Sequence, residues 1–158
     1  MRESIKKGFG FGLTSGIITT LGLMVGLQAS TDSKLAVIGG IIIIAIADAL
    51  SDSLGMHISE EFNEKNSQKK VWESTLSTFL SKFIFAISFI IPVLFFNLSM
   101  AIIISIIWGL FLISIFSFYI SKTNHYNPIK IVTEHLLIAI FVIIVTHYLG
   151  LFVRAYFG

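Results

Sequence analysis

The chain has 158 residues, 55% of them hydrophobic and only 13% charged, with a mean hydropathy of +0.90. A soluble domain of this length carries roughly a quarter charged residues, so the composition excludes one and points to the bilayer. The net charge of +2 comes from basic residues in short loops between apolar runs, which speaks for membrane orientation rather than nucleic-acid binding, and the absence of cysteine excludes disulfides, thiolate metal sites and cysteine nucleophiles.

The expected fold is all-α: a single polytopic transmembrane domain over residues 1–158 with five membrane-spanning helices. The first is predicted at residues 8–28. Its basic start, Arg2, Lys6 and Lys7, resembles a signal peptide, but the apolar run is long for one and Leu27 stands where cleavage wants a small residue. The segment is therefore expected to stay as a helix. Gly8, Gly12 and Gly16 recur at every fourth position, as do Gly22 and Gly26, and such spacing lets helices approach closely. Gly8, Gly12 and Gly16 are expected to form a dimer seam. Ser15 and Thr19 share a face at a similar depth and are candidates for a polar translocation path.

The second helix is predicted at residues 35–68, its last turns extending past the membrane, because residues after Gly55 lack proline and favour helix. It carries the most informative pattern. Asp48, Asp52, Met56, Glu60 and Glu64 recur at every fourth position, a ladder climbing about 24 Å along one slowly rotating face. An intramembrane carboxylate costs roughly 3 kcal/mol, so it turns inward and serves an ion or proton path. Carboxylates and a thioether at this spacing are candidate stepping sites for a divalent cation. Hydration of Asp52, a solvated glutamate face and simple packing of Met56 are the alternatives. His57 could join such a site.

The third helix is predicted at 73–96 with a kink at Pro92, the fourth at 99–121 after a tight turn at Asn97, and the fifth at 129–155. Lys82 lies inside the third span, where it either snorkels to the interface or pairs with Asp52. Glu134 and His135 lie near one end of the fifth span, His147 is expected to pack, and His125 belongs to a loop. Arg2, Lys6, Lys7, Lys65, Lys69, Lys70, Lys122 and Lys130 fall on one side of this topology, against Lys34 and Arg154 on the other. That bias puts the N-terminus in the cytoplasm.

Two segments resemble the vacuolar iron transporter family. Residues 12–26, GLTSGIITTLGLMVG, are similar to its first-helix signature G-L-x-D-G-L-x-T-x-x-G-L-x-x-G, and residues 48–59, DALSDSLGMHIS, to its second-helix motif G-A-[LI]-S-M-x-x-G-x-Y-[LI]. Residues 80–96 with Ile91 and Pro92 resemble its third helix, and residues 136–152 with VTHYLG its fifth. The resemblance implies a homodimer built around helices one and two that exports Fe²⁺ or Mn²⁺ from the cytosol in exchange for protons. The metal is then cargo, and no cofactor is implied. Ser15 stands where the family has aspartate, Asp52 where it has methionine, Asp48 where it has glycine, and Ile44 where it often has glutamate. The family's cytosolic metal-binding helices are mostly missing, leaving Glu60, Glu61, Glu64 and Glu73. Carboxylate for thioether favours harder ions such as Mn²⁺, Mg²⁺ or Fe²⁺.

A proton-coupled divalent-metal transporter is thus the leading expectation, and an enzyme is not expected. A non-transporting scaffold or regulatory relative is the alternative. A Mg²⁺-dependent membrane transferase would use the Asp48/Asp52 pair, but its companion D-x-x-D-G-x-x-A-R segment is absent. The bias toward Ile, Lys and Asn fits an AT-rich genome and a prokaryotic plasma membrane.

Overall fold

The computed structural model describes residues 2–63, 66–123 and 126–158. Six helices follow one another: α1 Glu3–Thr31, α2 Lys34–Glu61, α3 Gln68–Ser88, α4 Ile90–Phe95, α5 Leu98–Thr123 and α6 Pro128–Phe157. No strand occurs among the described residues. With α3 and α4 taken as one span, five helices are long and apolar enough to cross a membrane, as expected from the hydropathy.

The ends of these helices follow local chemistry. Asp32 closes α1 in the left-handed region at φ 48°, its N–H reaching the Gln28 carbonyl at 3.0 Å, and the Ser33 hydroxyl accepts from the Ala36 N–H at the start of α2. Asn97 accepts from the Met100 N–H at 3.0 Å and so starts α5 at the expected tight turn. Asn127 does the same for α6, with Pro128 following it.

One boundary differs from expectation. The second helix ends at Glu61, not near residue 68. Asn66 turns back there, its Nδ2 donating to the Glu60 carbonyl at 3.3 Å and to Glu60 Oε2 at 2.8 Å, which caps the helix end. The helix does run unbroken through Gly55. Pro92 interrupts the third span, as expected: α3 stops at Ser88, four residues earlier, and α4 resumes at Ile90. Proline has no N–H for that carbonyl and its ring collides with it. The Phe89 N–H falls back on Ala86 at 3.2 Å.

The chain forms two compact units, one from residues 1–20 and 41–89, the other from 21–40 and 90–158. In the first, α3 reverses the pattern of a soluble helix. It buries Ser74, Thr75, Thr78, Ser81 and Lys82 while exposing Trp72, Leu76, Leu80 and Ile84, as lipid surroundings require. Its hydroxyls meet the carbonyls of α1: Ser74 Oγ donates to Ser4 at 3.1 Å, Ser77 Oγ to Ile5 at 2.9 Å and Thr78 Oγ1 to Gly8 at 3.3 Å.

Those contacts involve the three glycines expected at a dimer seam. A Cβ on Gly8 would collide with the Ser74 carbonyl, and one on Gly12 with Ser81 Oγ and the Thr78 carbonyl. A Cβ on Gly16 would stand 3.0 Å from the Lys82 carbonyl oxygen. The glycine face is filled by α3 of the same chain, whose small hydroxyl residues recur at the matching four-residue spacing.

In the second unit Gly150 seats α6 on α1, where a Cβ would lie 2.5 Å from the Gly26 carbonyl and 2.8 Å from Ala29. Along α5 the buried positions Ala101, Ser105, Gly109, Ile113, Ser117 and Ser121 form another four-residue repeat. Ser117 Oγ and His135 Nδ1 lie 2.7 Å apart between α5 and α6. Lys34 Nζ donates to the carbonyls of Leu94 at 3.3 Å and Phe96 at 3.1 Å, which covers the open end of α4.

Candidate functional site

Asp48 and Asp52 are one helical turn apart on α2, and both turn toward α3. Between them lies the ammonium of Lys82, whose side chain is only 1% exposed. The carboxylates are partly open, at 30% for Asp48 and 23% for Asp52. Ser15 on α1 completes the cluster: its hydroxyl donates to Asp52 Oδ2 at 2.6 Å and accepts from Lys82 Nζ at 2.9 Å. Lys82 also donates to the same Asp52 oxygen and stands 2.5 Å from Asp48 Oδ2. The ammonium thus has two carboxylates and one hydroxyl within contact distance.

The two aspartates are not equivalent. Asp52 accepts directed hydrogen bonds from Ser15 and Lys82. Asp48 Oδ2 is buried and in ion-pair contact with Lys82, yet accepts no directed hydrogen bond. Gly16 makes room for the lysine, since a Cβ there would press on Lys82 Cα at 3.1 Å and Cγ at 3.2 Å. The cluster carries one net negative charge when all three groups are ionised. Lys82 therefore does not snorkel, and it pairs with Asp48 as well as with Asp52.

The remaining members of the ladder go elsewhere. Met56 is buried at 8% exposure. Glu60 is buried at 5% and is taken up by Lys7 of α1 and by Asn66, while Glu64 lies outside the described residues. His125 and Lys65 also lie outside them. Thr19 donates to the Ser15 carbonyl of its own helix at 2.8 Å and so does not extend the polar cluster. His57 Nδ1 lies 2.9 Å from Thr75 Oγ1, with its Nε2 3.3 Å from Glu61 Oε1 and its ring edge-on to Trp72. Among the described residues no group of three or more His, Asp or Glu side chains is close enough to hold one metal ion.

Near the N-terminal end of α1 is a cavity of about 440 Å³, lined by Arg2, Ser4, Lys7, Glu60, Asn63 and Glu73. Arg2 and Ser4 hold Glu73 there. Glu60 and Glu73 are thus each answered by a basic residue from the N-terminal end of the chain. Sequence spacing carried no trace of the Lys7–Glu60 and Arg2–Glu73 pairs, which join residues 53 and 71 positions apart. Glu60→Ala removes the acceptor for both Lys7 and Asn66 and is expected to cost about 1–3 kcal/mol of stability. Glu61→Ala, on the exposed side, should stay within about 0.5 kcal/mol. Thermal unfolding in detergent checks the contrast; equal losses would contradict it.

The fold and this cluster define an integral membrane protein of polytopic helical type with ionisable groups turned into its interior. A model of the VIT family, the vacuolar iron transporters, matches residues 52–151, well over half of the chain. The chain belongs to that family, whose members are membrane transporters of metal ions. The match begins at Asp52, so α1 and Asp48 lie outside it. Comparison with curated proteins gives no match.

Proposed function

We propose that the protein moves a divalent transition-metal ion, Fe²⁺ or Mn²⁺, out of the cytosol in exchange for protons, with Asp48 and Asp52 as ligands inside the membrane. The observation that carries this reading is the pair of carboxylates on successive turns of α2, turned inward within an apolar span of a metal-transporter family. Such groups are costly in a bilayer and are kept where an ion or proton passes. A ligand set of carboxylates and a hydroxyl is hard in character and matches Mn²⁺ and Fe²⁺ better than softer ions. Met56 and Glu60 follow on the same helix and, with Glu64 beyond its end in the sequence, make up the approach from the cytosol in this reading.

In this reading the N-terminus is cytosolic, the membrane is a prokaryotic plasma membrane, and two copies pair. We place that pairing on α2, whose outer face carries the exposed residues Ile43, Ile46, Leu50 and Leu54. The test is uptake of Mn²⁺ and Fe²⁺ into proteoliposomes carrying an imposed pH gradient. Metal flux with opposing proton movement supports exchange; metal flux insensitive to the gradient removes the proton coupling.

One observation favours a second reading. Lys82 already neutralises half of the acidic charge, as it would in a relative that keeps the fold to scaffold or regulate a partner. No flux for any divalent ion would select that reading.

A further inference from the structure

We propose that Lys82 is a tethered cation: its ammonium fills the position between Asp48 and Asp52 that a metal ion takes, so a free divalent ion reaches both carboxylates only when the lysine withdraws. This rests on the transporter reading of the aspartate pair and adds a gate to it.

Three features carry the inference. The ammonium is the most enclosed part of the cluster, at 1% exposure, while the carboxylates around it keep open edges. An incoming ion therefore meets carboxylate oxygen first, with the lysine behind it. The contacts are also those of a bound cation: two carboxylates and a hydroxyl around one positive centre. Finally, the fit is incomplete. Asp48 Oδ2 is buried with the ion pair to the ammonium as its one partner among the described residues, whereas Asp52 Oδ2 also accepts from Ser15, so Asp52 is the more fully partnered of the two. An ammonium directs a few N–H bonds, whereas a metal ion gathers oxygens from all sides, and Asp48 is the ligand left under-used.

Charge gives the consequence. With the lysine in place a divalent ion faces one net negative charge and an ammonium at contact distance. With it gone, the ion faces two negative charges and an open centre. The four-carbon stem of lysine has the rotatable bonds to swing, and glycine at position 16 keeps a Cβ from pressing on Lys82 Cα and Cγ.

The experiment measures Mn²⁺ binding to purified full-length protein in detergent by loss of the free-ion EPR signal, with thermal unfolding alongside. Lys82→Met keeps the stem and removes the charge. It is expected to bind Mn²⁺ at least about tenfold more tightly than wild type and to gain an unfolding midpoint that climbs with Mn²⁺ concentration. The triple variant Lys82→Met, Asp48→Asn, Asp52→Asn should show neither effect. A folded Lys82→Met protein with wild-type Mn²⁺ binding overturns the proposal.

Lys82→Met exposes two uncompensated carboxylates and can fail to fold. Lys82→Ala with added methylammonium covers that case, because the small cation refills the site. Methylammonium should raise the unfolding midpoint and compete with Mn²⁺; no response to either cation overturns the proposal. Wild-type flux is read separately. Flux in wild type without a gain in the variants removes the tethered cation and leaves the transporter. A gain in the variants without wild-type flux leaves the tethered cation and removes the transporter.

Discussion

Mn²⁺ flux through Asp48→Asn in proteoliposomes is expected to fall at least about tenfold below wild type, while Asp52→Asn loses more stability than Asp48→Asn does. Both changes remove one charge at nearly constant volume, so the difference between them comes from what each carboxylate does. Asp52 is the structural member: it accepts from Ser15 at 2.6 Å and from Lys82, tying α1, α2 and α3 together. Removing its charge weakens two bonds to polar groups, and hydrogen bonds to charged groups contribute about 1.5–3 kcal/mol each. Asp48 has the ion pair with Lys82 to lose but no second donor such as Ser15. Its charge is available to offset the desolvation of a passing ion, which in a low-dielectric path is the dominant cost. Flux normalised to folded protein separates the two effects. Asp48→Asn protein carrying Mn²⁺ at the wild-type rate would remove Asp48 from the path, and the double Asn variant doing so would remove the site.

How much of this was legible in the sequence depends on the range of the interaction. Hydropathy is a local property, and the membrane-crossing segments could be placed from it. The Asp48/Asp52 face is also local, since four residues make roughly one turn. Lys82 stood out as a charge inside an apolar run, but its second partner could not be read, because whether a lysine reaches one carboxylate or two depends on the packing of α3 against α2. The glycines show the same limit more sharply. Their four-residue spacing announces a close helix–helix approach and says nothing about which helix arrives. The match was in α3 all along, in Ser74, Thr78 and Lys82 at the same spacing, with Ser77 and Ser81 beside them. The end of α2 was missed for a different reason. Residues up to Glu61 and beyond have adequate helix propensity, but a capping contact from Asn66 decides where the helix stops, and propensity does not see caps.

Replacing Gly12 with leucine should abolish the folded monomer rather than only separate two copies. The site has no slack: a single Cβ already collides with Ser81 Oγ and the Thr78 carbonyl, and lies 3.1 Å from the Lys82 amide nitrogen. Two of those neighbours are backbone, which cannot rotate aside. Inserting extra carbons into a packed interior costs about 1–3 kcal/mol even where neighbours yield. Here α1 must move off α3, which also parts Ser77 and Thr78 from their carbonyl acceptors on α1 and pulls Ser15 away from Asp52 and Lys82. A loss of more than about 4 kcal/mol is expected, in the range reserved for a wrecked core. Gly55→Ala is the control, since a Cβ there meets nothing within 4 Å, and its stability should stay within about 0.5 kcal/mol of wild type. Size-exclusion chromatography with circular dichroism melting distinguishes the cases. A Gly12→Leu protein that melts like wild type but elutes as a monomer, where wild type elutes as a dimer, would return the glycine face to a seam between copies and overturn its assignment to α3.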